Sequence, residues 1–254
     1  MIGTIRRIGR PRLPRRAIRL DAIYDPIGPS ERLFLPPDYR DRADPDYYSD
    51  TPPPDVVYQP DVYSLARTIA IRLGSERMID VGCGAGEKLI GAGAGLQTIG
   101  IDYGVNLEQA RGLNSSGTWI EHDLSTPGDL PLEAASLESS IVICADVVEH
   151  LVDPLPLLNG LARTLPTADA VLISTPDRNR LSGAVKHGPP GNPSHIREWT
   201  RDEFARLLRS VGFDQGIVSY TRPHTGTLAR STTLAVLVPE SSERVLRRST
   251  WRWR

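Results

Sequence analysis

IDVGCGAGEKL, residues 79–89, is the stretch on which the fold turns. An apolar run ends at Asp80-Val81, three glycines follow at alternate positions (Gly82, Gly84 and Gly86), and a segment with helical character begins. Glycines at this density let the backbone take positive φ and let another group approach closely. The group could be a dinucleotide, a nucleoside triphosphate or another adenosine-bearing cofactor, or the stretch could be only a tight turn.

Spacing narrows the choice. The dinucleotide fingerprint G-x-G-x-x-G needs a third glycine where Glu87 stands, and the phosphate loop G-x-x-x-x-G-K-[ST] fails because Leu89 follows Lys88. A glutamate opening the next helix is a poor neighbour for a pyrophosphate. It is a tolerable one for a cofactor carrying an amino group and a sulfonium charge.

The surrounding pattern alternates. RMIDV, QTIGID, TWIEHDL, SSIVICAD and DAVLIST read as strands, and EKLIGAGAG, NLEQARGL and DPLPLLNGLARTL as helices. DVYSLARTIAIRL before them places Val62, Leu65, Ile69 and Leu73 on one helix face. TRDEFARLLRSVGF opens with Thr200 and has Glu203 three residues on, the spacing of a capping box. QGIVSY and STTLAVLVP close as two strands without a helix between them, so one runs antiparallel. Such alternation implies a mostly parallel sheet covered on both faces. In such sheets ligands sit beyond the carboxyl ends of the strands, where the glycine turn lies.

Taken in order, DVGCGAGEKL, IGIDYG, HDL, ICADVVEHLVDP, STPDRNRL and HIREWTRDEFARLLRSVGF resemble the class I S-adenosylmethionine-dependent methyltransferases, from about Asp61 to Val238. The resemblance implies an α/β, Rossmann-like, doubly wound and mostly parallel seven-stranded sheet with a C-terminal antiparallel hairpin strand. It implies S-adenosylmethionine as cofactor. Gly82, Cys83, Gly84 and Gly86 would close on the methionine part, and Asp80 would hold its amino group. Asp102, with Tyr103 beside it, would bind the ribose hydroxyls. Asp123 would accept from the adenine amino group, Leu124 would cover the ring, and Ala145 would line the site. Asp123 could equally cap the turn at DLST, Cys83 could simply fill the turn, and Cys144 reads as core.

Methyl transfer from a sulfonium needs alignment of the acceptor and, for a hydroxyl, a base. His150 and His195 are the candidate catalytic residues, both on loops beyond strand ends. A histidine base implies a rate rising through about pH 6.5 unless burial shifts it. Glu149 could pair with either histidine or face solvent. Arg178 and Arg197 could bind an anionic acceptor group or form salt bridges. No metal set is expected. The acceptor is expected to be a small molecule or a glycan intermediate. The alternatives are a tRNA or rRNA methyltransferase, or a non-catalytic cofactor-binding partner subunit.

Composition sets the remaining bounds. The 254 residues suit one sizeable domain with extensions: an irregular Arg/Pro/Tyr-rich segment at 1–60, the methyltransferase domain at 61–239 and a basic tail at 240–254. The net charge of −1 makes nucleic acid an improbable partner, although seven arginines lie within the first twenty residues. The tail RVLRRSTWRWR interleaves arginine with tryptophan and suggests peripheral membrane contact, or else a solvated tail. Two cysteines and no long apolar run point to the cytoplasm. The tyrosines and prolines before the first helix suggest a cover over the acceptor site. Oligomeric state is not legible.

Overall fold

The computed structural model describes residues 17–23, 33–46, 55–126, 128–183 and 185–248. The arginines from Arg6 to Arg16 and the Trp251–Arg254 end of the tail lie outside the described residues.

Eight strands form one sheet: β1 (Ile18–Arg19), β2 (Arg77–Val81), β3 (Gln97–Asp102), β4 (Thr118–Glu121), β5 (Ser140–Ala145), β6 (Ala170–Pro176), β7 (Ile217–Thr221) and β8 (Thr232–Leu237). Their order is β1-β7-β8-β6-β5-β2-β3-β4. Strands β4, β3, β2, β5 and β6 are parallel, and β8, β7 and β1 add antiparallel pairings. The expected Rossmann-like sheet is therefore present, with one strand more than the seven read from sequence. The added strand is β1, from the segment read as irregular. It pairs with β7, whose open edge would otherwise leave a row of backbone groups without ladder partners, and Leu20 just beyond it is fully buried.

Alternation along the strands builds two cores. Ile79, Val81, Val142, Cys144, Val171 and Ile173 face α5 (Leu155–Thr164) and α7 (Arg201–Ser210). Met78, Ile141, Ile143, Leu172, Leu234 and Val236 face α1 (Pro60–Leu73) and α2 (Glu87–Ala92). Burial on both faces explains why these strands read as continuous apolar runs. Each helix end has a local cause. Pro60 opens α1 and Gly74 closes it in the left-handed conformation. The Thr200–Glu203 capping box forms as expected.

The segment expected to be a tail begins with α8 (Glu240–Arg248), whose Leu246 is buried in the core beneath α1. Packed chain thus continues past the proposed boundary at residue 240. Helices α3 (Gly104–Leu113), α4 (Ala134–Leu137) and α6 (Arg178–Ser182) complete the described elements. Among the described residues no helix is long and apolar enough to cross a membrane.

Trp119 on β4 sets the packing beneath the glycine turn. Its indole N–H donates to the Asn114 carbonyl at 2.7 Å. A Cβ at Gly100 would stand 2.4 Å from the Trp119 ring, and one at Gly86 2.6 Å from it. Both glycines therefore leave room for the indole. Gly100→Ala should destabilise the fold by about 1–3 kcal/mol through overpacking, measured as a lower urea midpoint with unchanged slope.

Candidate active site

A cavity of about 780 Å³ opens at the carboxyl ends of the parallel strands and brings the glycine turn, the acids after β3 and β4, and both histidines to one space. Gly82, Gly84, Asp102, Tyr103, Asp123, Leu124 and Ala145, seven of the residues expected to bind the cofactor, line it.

The turn and Asp102 form one unit. The amides of Gly82 and Cys83 both donate to the Ile101 carbonyl, at 2.8 and 3.1 Å. The Gly84 amide donates to Asp102 Oδ2 at 2.7 Å, and the Tyr103 amide to Asp102 Oδ1 at 2.8 Å. The carboxylate is thereby oriented before any ligand arrives. Gly82 has φ of +81°, and a Cβ there would meet Val147 Cγ2 at 2.3 Å, so no other residue fits. Asp123 lines the cavity and also closes the DLST turn, accepting from the Ser125 amide and hydroxyl at 2.9 and 2.7 Å. The capping reading of Asp123 is thus observed, and its side chain also lines the cavity.

Three of the expected cofactor residues do not line the cavity. Asp80 is fully buried and accepts from the Tyr63 hydroxyl at 2.8 Å. Cys83 is buried against Gly100, and its thiol is pushed upward by burial and by the nearby acids Asp80 and Asp102. Gly86 starts α2 with φ of +77° and accommodates Trp119. Each supports the turn from behind.

Neither arginine is among the residues that line the cavity, and both form the salt bridges that were the other reading of them, in place of acceptor contacts. Arg178 is buried, pairs with Glu203 at 2.6 Å, donates to the Glu198 carbonyl and lies over the Tyr39 ring. Arg197 grips Asp41 with two nitrogens, at 3.1 and 2.8 Å, and donates to the carbonyls of Leu151 and Val152. Spacing alone could not separate these ion pairs from ligand contacts.

Those contacts tie residues 33–46 against the loop that carries His195. Arg42 donates to the carbonyls of His195 and Pro190, Tyr39 Oη accepts from the Glu198 amide, and the Trp199 indole donates to the Leu33 carbonyl. Pro45 and Asp46 reach the cavity. The described part of the N-terminal segment thus supplies a wall of the site.

The two histidines stack edge to face with ring centroids 4.9 Å apart. His150 Nδ1 lies 2.8 Å from the Ser194 carbonyl, which can only accept. Nδ1 therefore carries the proton and Nε2 is the basic nitrogen. Burial and the nearby His195 hold its pKa down at about 4. His195 has both nitrogens engaged, Nδ1 with Glu198 at 2.8 Å and Nε2 with Asn192 at 2.9 Å. Glu149 is fully buried; one carboxyl oxygen accepts from Thr175, and burial and then Asp146 push its pKa well up, favouring the protonated acid. One ligand-type atom from each of Glu149, His150 and His195 lies within 4.8 Å of the others, so Glu149 stands beside both histidines and not in solvent.

Cavity residues that escaped the sequence reading include Gln59, Asp146, Asn192, Glu198 and Thr232. Asp146 follows the end of β5, where the strand-end rule that selected Asp102 applies equally. Gln59, in a proline-rich stretch, carries no comparable signal.

Residues 58–217 match a family model described as a methyltransferase domain. Similar relatives include the ubiquinone biosynthesis O-methyltransferase of Thiobacillus denitrificans, 31% identical over 156 residues, covering 56% of this chain and 66% of that protein. That of Cereibacter sphaeroides strain ATCC 17025 is 31% identical over 152 residues, covering 54% and 60%. The match therefore spans no more than 66% of the length of these relatives. Among solved structures, the methyltransferase domain of bacterial-CtHen1-CN gives a TM-score of 0.51 at 19% identity, covering 71% of this chain and 98% of that one.

Because Arg197 anchors a wall and does not face the cavity, Arg197→Ala should cost at least about 2 kcal/mol of stability. Urea unfolding measures it; an unchanged midpoint would contradict the anchoring role.

Proposed function

The chain belongs to the methyltransferase-domain family, and from that premise we propose that it transfers a methyl group from S-adenosylmethionine to a hydroxyl of a small-molecule acceptor. One observation carries the reading. A carboxylate oriented by two backbone amides, Asp102, and a histidine in its basic form, His150, line the same cavity.

The residues present fit the cofactor. A fixed carboxylate that still faces a cavity suits a vicinal diol, and Asp102 would hold the ribose hydroxyls. Asp123 and Leu124 would hold the adenine, Tyr103 and Ala145 would flank it, and the Gly82–Gly84 backbone would follow the methionine part. When bound, the cofactor supplies a methyl group activated by its sulfonium. The chain's own tasks are alignment of the acceptor oxygen, exclusion of water and removal of the hydroxyl proton. His150 Nε2 would receive that proton. With both nitrogens engaged, His195 would position the Asn192–Glu198 loop. The histidine-to-carboxylate bond from His195 to Glu198 keeps that ring in one orientation.

Ubiquinone biosynthesis O-methyltransferases are named for methylation at oxygen, and the basic nitrogen of His150 is consistent with a hydroxyl acceptor here.

Two outcomes test the reading. Calorimetry should detect binding of S-adenosylhomocysteine, and Asp102→Ala should weaken it by about 1.5–3 kcal/mol, the range for hydrogen bonds to a charged group. His150→Ala should lower kcat by about 10²–10⁴ with cofactor affinity nearly unchanged. The pH profile follows from the lowered pKa. The base works when neutral, so the rate should rise with pH through about 4 and stay level through neutrality. An acid limb centred near 6.5 would point to a different base.

A further inference from the structure

Two buried polar atoms in the cavity wall have no hydrogen-bond partner among the described residues: Oε1 of Gln59 and Oγ1 of Thr232. Their residues are 2% and 1% exposed. A buried polar atom left unsatisfied is costly, and two in one cavity wall call for a common cause.

They belong to one region. The Gln59 amide donates to the Pro223 carbonyl, just past the end of β7, and Thr232 at the start of β8 pairs across the ladder with Thr221 and Pro176. Gln59 Nε2 donates to the Asp146 carboxylate, which also accepts from Ser174 Oγ at 3.2 Å. Gln59 and Asp146 both hold left-handed backbone, with φ of 53° and 55°, a strained state for non-glycine residues that collects at ligand sites. In the sheet order β6, β5 and β2 separate Thr232 on β8 from Asp102 on β3. Four strand spacings put them about 19 Å apart, at opposite ends of the cavity.

The donor and acceptor pattern selects the ligand group. Gln59 has its amide nitrogen committed to Asp146, so Oε1 can only accept. Thr232 Oγ1 can both donate and accept. A hydroxyl can donate to the first and accept from the second. An ether or ketone oxygen leaves Gln59 unsatisfied, and a hydrocarbon satisfies neither. Ser182, Asn192 and Ser231 add further polar groups to the lining.

Resting on the reading of the chain as a methyltransferase for a small-molecule hydroxyl, we propose that Gln59, Asp146 and Thr232 form a second, hydroxyl-reading subsite, and that the acceptor is a polyhydroxylated ring of the sugar class. One hydroxyl is methylated near His150 while another is held between Gln59 and Thr232.

The test uses full-length protein saturated with S-adenosylhomocysteine. Saturation-transfer NMR is recorded with methyl glucopyranoside, galactopyranoside, mannopyranoside and rhamnopyranoside, and with catechol as the planar comparison. At least one pyranoside should bind. Thr232→Val, which keeps the side-chain shape and removes only an unsatisfied hydroxyl, should fold and should weaken that binding about tenfold or more. Thr232→Ser should restore it, and both variants should bind S-adenosylhomocysteine like the wild type. The proposal is overturned if no pyranoside binds, if catechol alone binds, or if Thr232→Val binds the sugar as tightly as the wild type. Failure of the wild type to bind S-adenosylhomocysteine would instead remove the underlying methyltransferase reading.

Discussion

Two amides and one carboxylate fix the geometry of the site. The Gly84 and Tyr103 N–H groups converge on Asp102 and join the turn after β2 to the end of β3. The turn accepts this because glycine tolerates positive φ at residues 82, 84 and 86. The space behind it is taken by Trp119 and that beside it by Val147, so there is no slack into which the loop could relax. Pocket shape at this end thus follows from backbone hydrogen bonds and close packing, with little contribution from flexible side chains.

The opposite end is built from charge. Asp146, Glu149, His150, His195 and Glu198 crowd together, and their environments separate their protonation states. Burial raises the carboxyl pKa values of Asp146 and Glu149 and lowers that of the His150 imidazole. Burial is the leading cause of all three shifts. Full burial of Glu149 shows why a sequence reading could not choose between a paired and a solvated carboxylate: its position next to a histidine is compatible with both.

The sheet was legible in the sequence because its strands are buried on both faces and α7 carries a clear capping box. Asp102 was legible as a cavity acid from its strand-end position, whereas the same position at Asp80 marks a buried support for the turn. The features that escaped share a cause: partners distant in the chain. Ile18–Arg19 reads as part of a proline-rich arm until β7 offers it an edge. Leu246 in a basic segment finds the α1 face, and Gly86 serves an indole thirty-odd residues away as well as a turn. Arg178 and Arg197 have the residue type of ligand contacts, but Glu203 and Asp41 claim them first. Gln59 carries no local pattern at all; what marks it is an unusual backbone conformation, visible only in three dimensions.

Sequence separation has a further consequence for how the chain reaches this state. Asp41 meets Arg197 across 156 residues, and Leu33 meets Trp199 across 166. During synthesis the early segment must wait for most of the sheet to emerge before it finds its place. The wall beside His195 can close once residue 199 has emerged, before β7 and β8 are made, whereas the contact of Gly84 with Asp102 spans only 18 residues. Loop-closure cost grows only slowly with length, so the later closure costs little more entropy than the earlier one. The two ends of the cavity thus form in succession as the chain emerges, the Asp102 end first and the wall beside His195 after it.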